Sequence, residues 1–168
     1  MVDNTTQPYF RPIFMQDGGS CGQASGMGYC FTYEIDCERG VAADNLLTQY
    51  PTHYTWNFLN GGTGGGSWHF DGWVIVQSDG CPNVLDWGGD YAYGGYARWM
   101  SGYDEYYLGM HNKVLEISAI QVGNEQGLAT LKHWLFNHLG KKEPGGLAVF
   151  AAGVSNDFTM TYLPAGTP

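Results

Sequence analysis

The sequence predicts an α+β fold, on three observations. Apolar residues recur at three- and four-residue spacing through Ala24, Met27, Gly28, Phe31 and Ile35, which makes one stripe of a helix. The run "KVLEISAIQV", 113–122, alternates at Leu115, Ile117 and Ala119 as a half-buried strand does. The run "GGLAVFAAGV", 145–154, is continuously apolar, as a buried strand is. Helices come first, and strand, helix, strand follow. The expected layout is a mainly helical lobe over 1–112 and the start of a β-containing lobe over 113–168.

In chain order, 1–15 reads as an extended lead-in punctuated by Pro8 and Pro12. The first helix runs from Cys21 to about Arg39, with Gly40 as its stop. Gly26 and Gly28 weaken it but permit close packing, so it is expected to be buried. Short helical pieces follow at about 45–50 and 54–59. The glycine-rich loop "NGGTGGGSW" comes next, and "SWHFDGWVIVQSDG" reads as a second long helix with Trp68 and Trp73 inward, closed by Gly80. Residues 81–112 are tyrosine-rich and irregular. Asn124 is placed to cap a helix carrying Leu128, Leu131, Leu135 and Leu139 on one face and ending at Gly140.

Composition narrows the class of function. Sixteen acidic against seven basic residues leave a formal charge of −9, without the basic footprint that nucleic acids or anionic membranes require. No stretch approaches the roughly 18 apolar residues of a membrane span. The 26 glycines and 12 tyrosines suit a loop-rich fold with close backbone approaches and large aromatic packing units. The four cysteines, at 21, 30, 37 and 81, include no CxxC pair, so neither a zinc site nor a disulfide framework is expected. Cys30 and Cys37, on one helix face about 10 Å apart, are too distant to bridge. No cofactor or metal is implied. Met1 is followed by polar "VDNTTQP" rather than a signal peptide, and "TYLPAGTP" stops in turn-type residues soon after an apolar run.

The chemistry centres on "QDGGSCGQASG", 16–26. A glycine turn delivers Cys21 to the first position of the buried helix. Helix N-termini stabilise thiolates through their unpaired N–H groups, which suits a nucleophile and adds nothing to a packing cysteine. Gly64, Gly65 and Gly66, followed by Ser67 and Trp68, form a stretch whose backbone is open to an extended peptide. Tyrosines between 91 and 107 are candidates for subsite walls or for core. Cys30, Cys37 and Cys81 read as packing residues.

These segments resemble the papain-like cysteine proteases. Gln16, the glycine turn and "GSC" opening a buried helix are similar to that family's glutamine and nucleophile helix. "GGTGGGSWHFDGWVIVQSDG" resembles its Gly-Gly substrate wall and following helix, and "GNEQGLATLKHWLFNHLG…GGLAVFAAGVSNDF" its crossover helix and first β-lobe strand. "PIFMQDGGSCGQASG" with "YTWNFLNGGTGGGSW" looks most like a divergent bacterial branch. The resemblance implies a peptidase with Cys21 as nucleophile, Gln16 as oxyanion donor beside the Cys21 N–H, and 64–68 as substrate wall. It also implies a secreted, cell-surface or periplasmic protein.

Two departures stand out. The family's Cys-Gly-Ser-Cys-Trp is Ser20-Cys21-Gly22-Gln23-Ala24 here, so Gly22 replaces the tryptophan, and the Gln16 spacing is one residue short. A shifted register would put Ala24 at the nucleophile position, giving an inactive homologue. The helical stripe beginning right after Cys21 favours Cys21. The second departure is the general base. His53, His69, His111, His133 and His138 all precede the place where the resemblance puts it, and read as surface or packing residues. The base and its orienting asparagine are therefore expected on a C-terminal fragment of the same precursor, which completes the β lobe. The rival reading is a non-catalytic carbohydrate- or peptide-binding module built on the exposed aromatics.

Overall fold

The structure is a computed structural model describing residues 2–90 and 102–152. The tyrosines at 91, 93 and 96 and the chain from 153 onward, with "TYLPAGTP", lie outside the described residues.

Helical segments Cys21–Gln23, Ala24–Phe31 and Thr32–Arg39 follow one another over 21–39 and are together labelled α1. The middle segment is a π-helix, containing Gly26 and Gly28. A Cβ on Gly28 would lie 2.5 Å from the Phe14 ring, so a missing side chain lets the N-terminal strap close over the helix. Gly40, at φ +66°, ends α1 in the left-handed conformation. Helices α2 (Thr52–Leu59), α3 (His69–Ser78), α4 (Val84–Trp87), α5 (Tyr103–Gly109) and α6 (Glu125–Asn137) follow. Asn124 caps α6 by accepting from the Gly127 N–H at 2.9 Å.

The core gathers Met27 and Phe31 of α1, Tyr50, Tyr54 of α2, Val76 of α3, Cys81 and Trp87 of α4. Apolar burial of this kind stabilises by about 1.5–3 kcal/mol per large side chain. α1 is therefore the central buried helix that its stripe predicts. The segment 45–50 forms turns rather than the expected short helix, with the Leu47 N–H and the Thr48 hydroxyl both bonded back to Asn45. Such local side-chain bonds compete with helix formation. Trp68 is turned outward at 56 % exposure, against the inward position expected of it. Trp73 is half-buried and donates to the Gly26 carbonyl at 3.3 Å.

The α+β prediction is overturned: the described residues form helices and contain no β-strand. Residues 113–121 have no regular secondary structure, no strand lies beside them among the described residues, and Leu115 is 91 % exposed. The stretch 145–152 has no regular secondary structure either, and at Leu147 its backbone is bonded to side chains. The Leu147 N–H donates to Glu34 Oε1 at 2.7 Å, and its carbonyl accepts from Trp134 Nε1 at 2.7 Å. Alternation reports a half-buried extended chain, whereas a strand exists only with a hydrogen-bonded partner.

The same contacts fasten α6 to α1. Tyr33 Oη donates to the Gly145 carbonyl at 2.7 Å. His138 Nδ1 lies 2.8 Å from the Pro144 carbonyl and Nε2 2.8 Å from Glu34 Oε2. An acceptor at each nitrogen favours the imidazolium, the form in which both can donate. Its hydrogen bond to Glu34 raises its pKa above the usual histidine value.

Candidate active site

Cys21 opens α1 and its side chain is exposed. The turn before it is held from beneath. Ser20 is fully buried, and its hydroxyl donates to the Asp17 carbonyl at 2.7 Å. His53 of α2 brings Nε2 to 3.2 Å from the same carbonyl, so that nitrogen carries the proton and donates. The His53 ring also packs on Trp56, with centroids 4.5 Å apart. Gly18 has φ +64°, and a Cβ there would lie 2.5 Å from the edge of the Trp56 ring. Both the backbone sign and the contact therefore require glycine.

The glycine-rich loop is docked onto that turn. The Gly19 N–H donates to the Gly64 carbonyl at 3.0 Å. A Cβ on Gly19 would lie 2.7 Å from Gly64 O and 2.8 Å from Gly66 N, both backbone atoms. Trp56 Nε1 donates to the Gly65 carbonyl at 2.9 Å. Further along, a Cβ on Gly22 would lie 2.5 Å from the Ser67 carbonyl. Glycine where the resemblance expects tryptophan thus lets the first turn of α1 lie directly on the wall. Gly66 is exposed, and among the described residues its N–H and carbonyl make no hydrogen bond.

The predicted site residues fall into two groups. Cys21, Gly64, Gly65, Gly66, Ser67 and Trp68 come together through these contacts. Gln16 stays exposed and donates weakly to the Gly18 carbonyl at 3.4 Å, so its amide is occupied within the turn. The other three cysteines are buried, and desolvation pushes each thiol pKa upward, which suits packing and not attack.

Five residues that sequence reasoning passed over build the support: Ser20, Gln23, His53, Thr55 and Trp56. Gln23 is fully buried beside Cys21, a polar residue on the inner side of α1. A polar position four before Met27 and seven before Cys30 was the available signal.

None of the five histidines hydrogen-bonds the Cys21 thiol. His53 faces Asp17 and His138 faces Glu34. His69 packs against Trp68 and Trp73, and His111 against Tyr107. His133 lines a hollow of about 320 Å³ on α6 that none of the predicted site residues touches. Among the described residues no group of acidic, histidine and cysteine side chains is arranged to hold a metal ion, and no helix is long and apolar enough to cross a membrane.

Burial lowers the His53 pKa, outweighing the backbone bond to Asp17. A lowered histidine favours the fold in its neutral form. That contribution is complete above the ordinary value of about 6.5 and is lost as pH falls below it. Melting temperatures of the wild type and His53→Gln, measured from pH 7.5 down to 5, are expected to converge toward the acid end. A difference independent of pH would contradict this.

No protein family, curated protein or solved structure matches this chain.

Proposed function

We propose that this chain is the nucleophile-bearing part of a papain-like cysteine peptidase, cleaving peptide bonds through a thioester on Cys21. One observation carries the reading: the turn bearing the exposed Cys21 is bonded to the glycine wall through Gly19 and Gly64, and beside that bond Gly66 keeps a free N–H and carbonyl. An extended peptide paired with Gly66 would lie along the wall toward the thiol, as an added strand does on an open edge.

In this reading the Cys21 thiolate attacks the peptide carbonyl, and a C–S bond forms. The C–N bond then breaks, and the amine leaves with a proton from the general base. Water, deprotonated by the same base, attacks the thioester, frees the acid and regenerates the thiol. The Cys21 N–H, at the open start of α1, faces the oxyanion. The base and its orienting residue come from a second polypeptide of the same precursor, since none of the chain's own histidines hydrogen-bonds Cys21 and His53, His69 and His138 are engaged elsewhere. A secreted, cell-surface or periplasmic setting goes with this reading.

The test is the rate of iodoacetamide alkylation at pH 6. Burial alone predicts that Cys21 takes the single label, so stoichiometry decides nothing. The rate decides: Cys21 is expected to react at least about tenfold faster than free cysteine. A rate equal to free cysteine overturns the proposal and favours a binding module presenting the exposed Trp68.

A further inference from the structure

Gln23 lies two residues after Cys21, yet nothing of it reaches solvent. Its amide spans three elements. Nε2 donates to the Trp68 carbonyl at 2.8 Å and to Ser67 Oγ at 3.2 Å, both on the wall. Oε1 accepts from the hydroxyl of Thr55, a fully buried residue of α2, at 2.8 Å. Both amide hydrogens are therefore committed to the wall and the oxygen to α2. Room for the group comes from Gly72 of α3, where a Cβ would fall 1.8 Å from Oε1.

The Trp68 carbonyl, which can only accept, decides which way the amide faces. If the amide turned over, its oxygen would meet the Trp68 carbonyl and its nitrogen the Thr55 hydroxyl. The first contact sets two acceptors against each other, so the donor end faces the wall, and the Thr55 hydroxyl anchors the oxygen to α2. The bond from Gly19 holds the wall at Gly64, and the amide of Gln23 holds it at Ser67 and Trp68. Gly66, the residue open to a peptide, lies between these two fastenings.

We infer that Gln23, anchored to α2 by Thr55, is a positioning residue that sets the wall at the height where an extended peptide presents its carbonyl to Cys21. The inference rests on Cys21 being the nucleophile. It predicts that loss of the Gln23 network impairs reagents that need the wall and spares those that need only the thiol. A purely structural role would impair both alike.

The experiment compares two alkylation rates on the full chain. One reagent is a tripeptidyl chloromethyl ketone, from which the Cys21 thiolate displaces chloride, and the other is iodoacetamide. In the wild type the peptide reagent is expected to be the faster by a large factor. Thr55→Val and Gln23→Leu should each lower the ratio of the two rates at least about tenfold, with the iodoacetamide rate within about twofold of wild type. Thr55→Ser, which keeps the hydroxyl, should restore the wild-type ratio. Ser67→Ala, at a half-exposed position that does not threaten folding, should lower it about threefold. Parallel loss of both rates, an unchanged ratio in Ser67→Ala and Thr55→Val, or a wild type without preference for the peptide reagent overturns the inference. A wild-type Cys21 no faster than free cysteine with iodoacetamide overturns the nucleophile reading itself, and this inference with it.

Discussion

Cys21→Ser is expected to abolish labelling by thiol-directed peptide reagents. In the assembled protein it is expected to lower peptide hydrolysis by about 10³-fold or more, the scale seen when a covalent nucleophile is removed. Stability should barely move. Cys21 is exposed, its side chain makes no hydrogen bond among the described residues, and it belongs to no core cluster. Changes at such surface positions usually stay within about 0.5 kcal/mol. The pairing of a large functional loss with an unchanged melting temperature is what separates a nucleophile from a packing thiol. Hydrolysis rates and thermal melts of the two proteins, side by side, check it. Cys81→Ser should show the reverse pattern, because that thiol is fully buried in the core.

Trp56→Ala is expected to cost about 3–5 kcal/mol, the usual range for truncating a fully buried aromatic. For a chain of this length, that lowers the melting temperature by roughly 6–20 °C. The loss is spread over three contacts. The ring packs on His53, lies under Gly18, and sends its N–H to the Gly65 carbonyl. Trp56 thus supports the turn before Cys21 and the wall together, so its removal should also slow alkylation by peptide reagents. Trp56→Phe keeps most of the ring volume and loses the bond to Gly65. Its expected cost is smaller, with the hydrogen bond itself worth about 1 kcal/mol. Urea unfolding of the three proteins measures the stability costs, and the alkylation rates follow the wall. A Trp56→Ala protein that unfolds like wild type would show that the turn does not rest on α2.

Much of the helical half was legible because helices are written locally. The stripe from Ala24 to Ile35, the Gly40 stop and the Asn124 cap each depend on residues within a few positions. The two strands were misread because pairing is not local. Leu115, Ile117 and Ala119 alternate as a strand would, yet no strand pairs with them among the described residues. Leu147 donates its N–H to Glu34, 113 positions away, and its carbonyl accepts from Trp134, 13 positions away. Local pattern carries no trace of either bond.

The site divides in the same way. Glycine spacing marked the turn and the wall, and close approach leaves no room for a side chain at Gly18, Gly19 and Gly22. The support beneath was hidden, because His53, Thr55 and Trp56 lie on a short helix with no motif, and their role appears only once α2 packs under the turn. Gln23 was visible as a polar residue on a buried face but had no partner in view until Ser67, Trp68 and Thr55 converged on it.

The most direct test is intact mass spectrometry of the protein as isolated from its native source, before and after treatment with an epoxide inhibitor of thiol peptidases. The account predicts a second polypeptide accompanying this chain, and one inhibitor adduct on this chain at Cys21. A lone chain that takes up no inhibitor would contradict it.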